Sequence, residues 1–323
     1  MREARSPMRT AMALRPGEVE AQWHHRDLED IAQAPPAPNA FVRWPNAARE
    51  FDDIKGLIEK YLTKNFPTAG IRLRRKMGVF TQGSCFAENL AASLRRYDLR
   101  IDNMPFGEEH NNTFANRVVI DWLRHGAQND AAAIIEAKLG KEQRARYLAA
   151  LRDTDVFVYT MGIAAVHFDR ITGEFVMSRP TETNKAALFK RSAFRNSTVQ
   201  QNVDNLRDII AGVRELAPKA AIVLTVSPVP LRAATEFNSA IIADCLSKST
   251  LRVALQEVLA ENPPRTIYWP SFEMVRWLGG HIDGRVYGSD DGSAHHVDLG
   301  MVDHIMDSFV RTFGDAELLG TRR

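Results

Sequence analysis

Met77-Gly-Val-Phe-Thr81, followed by Gln82-Gly-Ser-Cys85, is the stretch of sequence that decides the fold. Its first part is a short apolar run, and its second part is typical of a tight turn. After the turn, apolar residues recur every fourth position from Phe86 to Leu94, which is the spacing of one helix face. The stretch therefore predicts a strand, a turn and a helix that begins near Cys85.

Further apolar runs and helical stripes alternate along the chain downstream of this unit. Continuous runs of β-branched and aromatic residues at 155–160 and 220–226 are typical of strands buried on both faces of a parallel sheet, and 266–269 is a weaker run of this kind. Helical stripes lie at 203–216, 251–259 and 302–310. This alternation predicts an α/β fold, with right-handed crossovers and helices on both faces of a mostly parallel sheet.

The length of 323 residues fits one large α/β domain with an extension. Residues 1–40 have little apolar periodicity and end in Ala34-Pro-Pro-Ala-Pro38, so we interpret them as a flexible tail and Pro-rich linker. Helical spacing of apolar residues predicts a short helix from Phe51 to Tyr61. We assign 41–315 to the α/β domain and 316–323 to a C-terminal tail.

Composition and charge exclude several classes of protein. A content of 45% hydrophobic and 25% charged residues is that of a globular protein, which excludes disorder of the whole chain. The 42 Lys and Arg against 40 Asp and Glu are too balanced for nonspecific nucleic-acid binding. No apolar stretch approaches the ~20 residues of a membrane-spanning helix, and the first residues lack a signal-peptide core. We expect a cytoplasmic protein without nucleic-acid partner or membrane span; its oligomeric state stays open.

Cys85 is the first candidate functional residue. In the first turn of a helix, unpaired backbone N–H groups and the positive end of the helix dipole stabilise a thiolate, which suits a nucleophile. Ser84 would cap the helix or donate a hydrogen bond to a developing oxyanion. The alternative is a small buried cysteine where strand meets helix. The second cysteine, Cys245, is interpreted as structural.

A cysteine nucleophile needs a base, and the base needs an acceptor that orients it. The polar loop before the last helix offers His296 as base and Asp291 as orienting group, with His295 and Asp290 as alternatives. A solvated loop without function is the competing interpretation. A metal site is a third, although the spacing matches no strong metal motif; its candidate ligands are Asp290, Asp291, His295, His296, Asp298, and His281 or Asp283. We expect no metal and no cofactor.

The loop Asn103-Met-Pro-Phe-Gly107, followed by Asn111 and Asn112, is a further candidate. Gly107 would bring a backbone N–H close to a substrate carbonyl, and an asparagine amide would assist it. An ordinary turn is the alternative interpretation.

Several of these segments, in this order, carry a resemblance to a known family. Gly83-Ser-Cys-Phe-Ala87 is followed by Glu88-Asn89, and downstream blocks agree. They are Asn-x-Pro-Phe-Gly at 103–107, Thr-x-Gly at 160–162, Thr-Val-Ser-Pro-Val-Pro-Leu at 225–231, Trp-Pro-Ser-Phe-Glu at 269–273, and Asp-Gly plus His-Val near 291–297. Over about residues 40 to 312 the chain resembles the GSCFA-domain family, whose name motif is the first block.

That family looks like a branch of the SGNH, or GDSL-like, hydrolases. The resemblance implies a three-layer α/β/α sandwich with a flavodoxin-like sheet. Alignment with the Gly-Asp-Ser block of those enzymes puts Cys85 in the place of the nucleophilic serine and Ser84 in that of the aspartate. Their closing Asp-x-x-His block maps to Asp291 and His296 when two extra residues are allowed.

The Gly-x-Asn block of those hydrolases supplies an oxyanion asparagine, and Gly162 here is followed by no asparagine. Oxyanion stabilisation would then fall to the backbone N–H groups of Cys85 and Gly107, with Asn112 or Ser84 as helper. The resemblance implies an esterase or O-acyltransferase acting on a carbohydrate or polysaccharide-linked acyl group, with acetyl-CoA as one conceivable donor. Hydrolase and transferase stay open. The alternative function is a noncatalytic carbohydrate- or partner-binding protein on a degenerate hydrolase fold.

Overall fold

The computed structural model describes residues 42–105, 107, 110–177, 185–288 and 290–322. The chain divides into two units, Met1–Trp44 and Pro45–Arg323. The first unit lies almost wholly outside the described residues, and so does the flexible tail and linker predicted at 1–40. The second unit is the α/β domain.

The strands are β1 Gly78–Gly83, β2 Arg100–Pro105, β3 Val156–Met161, β4 Ala165–Asp169, β5 Ser192–Asn196, β6 Ala221–Val226 and β7 Thr266–Tyr268. The helices are α1 Ile54–Tyr61, α2 Cys85–Leu94, α3 Thr113–His125, α4 Asp130–Leu139, α5 Lys141–Arg152, α6 Lys185–Arg191, α7 Val199–Leu216, α8 Ala240–Ala260, α9 Ser271–Glu273, α10 Leu299–Phe313 and α11 Ala316–Leu319. A 3₁₀ helix, Ala48–Asp52, precedes α1, and a π-helical segment, Met274–Leu278, continues α9.

Five strands form one parallel sheet in the order β2-β1-β3-β6-β7, while β4 and β5 form a separate antiparallel pair. Counted along the chain, the order of the five parallel strands is 2-1-3-4-5, which is the flavodoxin-like order. Gly83 lies opposite Thr160, and Met161 lies opposite Val226. The carboxyl ends of β1, β3 and β6 therefore meet at one edge of the sheet.

Successive side chains of the central strands enter two different cores. In β3, Phe157 and Tyr159 pack into one core, and Val156 and Val158 pack into the other. Helices α3, α4, α5, α7 and α8 cover the first core, and α1, α2, α10 and the π-helical segment cover the second. The predicted three-layer α/β/α sandwich with a parallel, flavodoxin-like sheet is confirmed.

Residues 316–323, predicted as a C-terminal tail, instead pack on the domain as far as they are described. Leu318 is fully buried and belongs to the second core. Asp315 caps α11 by accepting the Leu318 N–H at 2.9 Å. Arg322 then forms an ion pair with Asp307 of α10 at 2.6 Å. In the described part of the chain, no helix is both long and apolar enough to cross a membrane.

Candidate active site

The junction between β1 and α2 places Cys85 at the first residue of a helix. Gly83 makes the turn with a φ of 121°, and a Cβ at this position would lie 2.1 Å from the carbonyl oxygen of Thr160 in β3. Only glycine adopts this conformation and leaves this space. Cys85 is half-buried and lies where β1 ends, which is the edge at which parallel sheets bind ligands.

Ser84 is attached to β3 through Thr160. Its backbone N–H donates to Thr160 Oγ1 at 2.9 Å, and its hydroxyl shares a 2.8 Å hydrogen bond with the same atom. The residue is 1% exposed, and its side chain makes no capping hydrogen bond to α2. The prediction that the Ser84 side chain caps the helix is therefore wrong, because the hydroxyl turns towards Thr160.

Helix α10 runs parallel to α2. Ser93 donates to Asp303 at 2.9 Å, and Tyr97 donates to Asp307 at 2.7 Å, so the contacts advance in the same direction along both chains. In this register the start of α2 at Cys85 lies level with the loop before Leu299, and not with the first turn of α10. The loop that precedes α10 is thereby brought to the helix start that carries Cys85.

Asp291 and His296 form a hydrogen-bonded pair in that loop. His296 Nδ1 lies 2.5 Å from Asp291 Oδ2, and the other carboxylate oxygen accepts the Ser293 N–H at 2.8 Å. The bond from His296, supported by that from Ser293, holds the pKa of Asp291 below its usual value. With Nδ1 donating, Nε2 is left as the acceptor nitrogen of a neutral imidazole. Both side chains are almost half exposed, at 46% and 47%, so water screens the pair.

Cys85 and the Asp291–His296 pair line one cleft of about 300 Å³. Its other described lining residues are Glu88, Asn89, Val229, Gly288, Asp290, Val297 and Leu299. The cleft therefore combines a thiol at a helix start with an imidazole oriented by a carboxylate. Three of these lining residues, Glu88, Asn89 and Val229, were not predicted from the sequence. They could have been found, because Glu88 and Asn89 directly follow the block at 83–87 and Val229 lies in the block at 225–231.

The alternative orienting group, Asp290, and the alternative base, His295, make different hydrogen bonds. Asp290 Oδ2 accepts the Leu299 N–H at 2.6 Å, which places this carboxylate at the first turn of α10. His295 is half-buried, and its backbone N–H contacts Ser293 Oγ at 3.4 Å. His295 is not among the described residues that line the cleft. The structure thus brings His296, rather than His295, together with Cys85.

Gly162 is pressed against the side chain of Asn111. A Cβ at Gly162 would lie 2.0 Å from Asn111 Nδ2, so glycine lets the carboxamide lie directly against the backbone beyond β3. Asn111 is 6% exposed, and its Oδ1 is buried without a hydrogen-bond partner among the described residues. An amide does lie beside Gly162, but the segment before α3 supplies it.

The two remaining oxyanion candidates lie outside the described lining of the cleft. Asn112 is 3% exposed, and its Oδ1 accepts the Ala115 N–H at 2.9 Å, which caps α3. Gly107 is exposed with a φ of 74°, and its neighbours 106, 108 and 109 are outside the described residues. Asn112 therefore serves the helix through its carbonyl oxygen, and a role for it in oxyanion binding stays a prediction.

A second cleft and a metal site are the other possible functional sites. A larger cleft, of about 410 Å³, lies between Phe51 and His304, but its described lining contains no cysteine, serine, threonine or lysine. Among the described residues, no three His, Cys, Asp or Glu side chains are grouped so that they could hold a metal ion. The smaller cleft is therefore the candidate active site.

Comparisons with known proteins agree with the ordered blocks. The sequence profile of the GSCFA family matches residues 78–309. A protein of Parabacteroides merdae described as a GDSL-like lipase is 15% identical, with a TM-score of 0.41 and coverage of 78% of this chain and 99% of that one. A protein of Streptococcus pneumonia described as a platelet activating factor is 13% identical, with a TM-score of 0.40 and coverage of 82% and 93%. No curated protein is detectably similar in sequence.

Proposed function

The chain belongs to the GSCFA family, and we propose that it is an acyl-transferring enzyme, an esterase or O-acyltransferase, with Cys85 as nucleophile. His296, oriented by Asp291, acts as its base. One observation carries the proposal: the thiol at the start of α2 and the hydrogen-bonded Asp291–His296 pair line the same cleft. A nucleophile, a base and a group that orients the base are the three parts that covalent acyl transfer needs.

The reaction proceeds in two steps. His296 Nε2 accepts the proton of Cys85 Sγ while the sulfur attacks the acyl carbon of an ester or thioester, and the imidazolium returns that proton to the leaving alcohol or thiol. A thioester on Cys85 remains. Water or an acceptor hydroxyl then attacks this thioester, gives its proton to His296 and releases the acid or new ester, and the thiolate recovers the proton. Asp291 keeps the Nδ1–H tautomer in place throughout.

Negative charge on the acyl oxygen needs donors near the start of α2. The backbone N–H of Cys85 belongs to the first turn of the helix, where intrahelical acceptors are lacking. Asn111 places an amide beside Gly162. Gly162 follows Thr160 by two residues, and Thr160 lies opposite Gly83 in the sheet. We assign Asn111 to the role for which the sequence offered Asn112 or Ser84, with the Gly107 N–H as a further donor.

The proposed acceptor or leaving group is a carbohydrate hydroxyl. The rim of the cleft supports this assignment with the carboxylates of Glu88 and Asp290 and the carboxamide of Asn89, which suit the donors and acceptors of a sugar. A sugar ester would enter with its acyl group towards Cys85 and its hydroxyls along these side chains. The thioester intermediate would pass its acyl group to such a hydroxyl or to water.

The test is covalent labelling followed by intact-mass analysis. The purified protein is exposed to p-nitrophenyl acetate and, separately, to acetyl-CoA, and the site of any acetyl adduct is mapped by peptide mass. We expect one acetyl group on Cys85, lost in Cys85→Ala. Addition of an acylated or free oligosaccharide then separates hydrolysis, which releases acetate, from transfer, which yields a new sugar ester.

Cys245 supplies the matched control. This second thiol is exposed on α8, so Cys245→Ala must leave the adduct unchanged. The absence of adduct and turnover in a folded wild-type protein, with Cys85→Ala indistinguishable from it, would reject acyl transfer. That result would favour the noncatalytic carbohydrate-binding protein instead, which equilibrium binding to the same oligosaccharides would detect.

A further inference from the structure

A buried charged cluster lies on α8, next to the end of β3. Lys248 is 1% exposed, and its Nζ donates to the carbonyl oxygen of Gly162 at 2.5 Å. Asp244, one turn earlier on the same helix, is 5% exposed. Burying an ammonium group costs free energy unless anions or dipoles compensate it. The position of Lys248 therefore calls for a negatively charged partner.

Asp244 is already engaged by other groups. Its Oδ2 forms a 2.6 Å ion pair with Arg276 Nη2, and its Oδ1 accepts the Leu231 N–H at 2.7 Å. Lys248 and Arg276 thus provide two positive charges, against which Asp244 provides one negative charge. The cluster keeps an excess of one positive charge whenever Lys248 is protonated.

Cys85 is placed to balance that excess. Gly83 and Thr160 are paired in the sheet, and Cys85 and Gly162 each follow their paired residue by two positions. Lys248 contacts Gly162, so its charge lies close to the helix start that carries the thiol. Burial lowers the pKa of Lys248 to about 7; the charge of Asp244 raises this pKa, that of Arg276 lowers it, and that of Cys85 as a thiolate raises it.

We propose that Lys248 is a positioning residue that stabilises the thiolate form of Cys85 from its buried position on α8, beside Gly162. The charged groups on the cleft side are Glu88 of α2 and Asp290, Asp291 and His296 of the loop before α10. The three carboxylates oppose a thiolate, and the solvated imidazole supports it only when protonated. Lys248 is buried, so water does not screen its charge. This inference rests on the proposed function only in taking Cys85 as the reactive group.

The experiment measures the pH dependence of alkylation by iodoacetamide, which reads the thiolate without any acyl substrate. Both thiols are followed by peptide mass in the same sample, with exposed Cys245 as the internal reference. In wild type we expect the Cys85 midpoint at least ~1 pH unit below that of Cys245, in line with an opposite charge nearby. Equal midpoints for the two thiols would overturn the proposal.

Variants separate charge from hydrogen bonding. Lys248→Gln keeps a donor for the Gly162 carbonyl and removes the charge, so the pH midpoint of Cys85 alkylation should rise by about one unit or more. At pH values below the midpoint, this rise lowers the thiolate fraction roughly tenfold. Lys248→Arg should keep most of the wild-type profile. A Lys248→Gln protein with the wild-type midpoint would overturn the proposal.

A second variant keeps the test decisive if Lys248→Gln does not fold. Lys248→Met removes the charge and leaves an unbranched apolar side chain in the buried space, so the Cys85 midpoint must rise here too. An unchanged or lower midpoint would contradict the proposal. If Cys85 is acetylated but its alkylation midpoint equals that of Cys245, only the role of Lys248 is refuted. If the midpoint of Cys85 is lowered as expected but Cys85 is never acetylated, only the proposed function is refuted.

Discussion

Gly83→Ala is the substitution that tests the turn on which the whole site depends. The new Cβ would lie 2.1 Å from the Thr160 carbonyl oxygen and 2.8 Å from Thr160 Oγ1. The carbonyl oxygen belongs to a central strand and cannot move without breaking the sheet. The residue would also have to hold a φ of 121°, which is strained for any L side chain.

The expected loss of stability follows from three contributions. The strained φ costs about 1 to 3 kcal/mol, and overpacking against a fixed neighbour costs about 1 to 3 kcal/mol. Displacement of the Ser84 N–H from Thr160 removes a hydrogen bond worth about 0.5 to 1.5 kcal/mol. Together they remove about 2.5 to 7.5 kcal/mol, a large part of the roughly 5 to 15 kcal/mol that stabilises a domain.

Urea unfolding followed by circular dichroism measures this loss, with two matched glycines as controls. Gly173 has a φ of 73° and open space around its Cα, so Gly173→Ala carries the strain alone, about 1 to 2 kcal/mol. Gly162 does not have a positive φ, and the atoms nearest to a new Cβ belong to the Asn111 side chain, which can give way, so Gly162→Ala should cost about 1 to 3 kcal/mol. Gly83→Ala should exceed both.

A Gly83→Ala protein no less stable than Gly173→Ala would refute this reasoning. It would mean that β1 and β3 separate at their ends with little cost, and that the position of the helix start is not fixed by Thr160. Gly162→Ala also reports on function, because displacing the Asn111 amide should slow acetylation of Cys85 by about tenfold or more while the protein stays folded.

Three further predictions concern the loop and the C-terminus. His296→Gln should slow acetylation of Cys85 about 10²- to 10⁴-fold, whereas His295→Gln should leave the rate within about threefold of wild type. If stopped-flow assays show equal effects of the two substitutions, His296 is rejected as the base. The pKa of Asp291 is lowered in the folded protein, so its bond to His296 contributes stability above about pH 4. This contribution is lost as the pH falls through the lowered pKa. The urea-unfolding curves of wild type and Asp291→Asn should therefore converge in acid and separate towards neutrality. Leu318→Ala should cost about 2 to 5 kcal/mol in urea unfolding, against ~0.5 kcal/mol or less for Leu319→Ala, which is 36% exposed.

The sequence was informative wherever burial on both faces of the sheet demanded continuous apolar runs. The strands at 156–161 and 221–226 were predicted within one residue, because their side chains fill both cores. Residues 103–107 were interpreted as a loop, and the strand at 100–105 was missed, since an edge strand that is only partly buried needs no apolar run. The antiparallel pair of 165–169 and 192–196 was also missed, because its pairing depends on contacts between distant segments.

The site was predictable in its residue types and less so in its contacts. The proximity of Cys85 to His296 could be expected from the edge rule for parallel sheets, and the structure places both in one cleft. The orientation of the Ser84 hydroxyl towards Thr160 could not, because it depends on the register between β1 and β3. Lys248 left no signal, since a lysine in a long helix is ordinarily a surface residue.

The parallel packing of α2 and α10 has a consequence for biosynthesis. The two helices are far apart in the sequence, with 210 positions between Ser93 and Asp303, and the contacts at Ser93–Asp303 and Tyr97–Asp307 help to bring the His296 loop to Cys85. A chain still emerging from the ribosome therefore exposes the cysteine long before its histidine is synthesised. Such a nascent chain has a thiol without a base, and activation of the nucleophile coincides with completion of the fold.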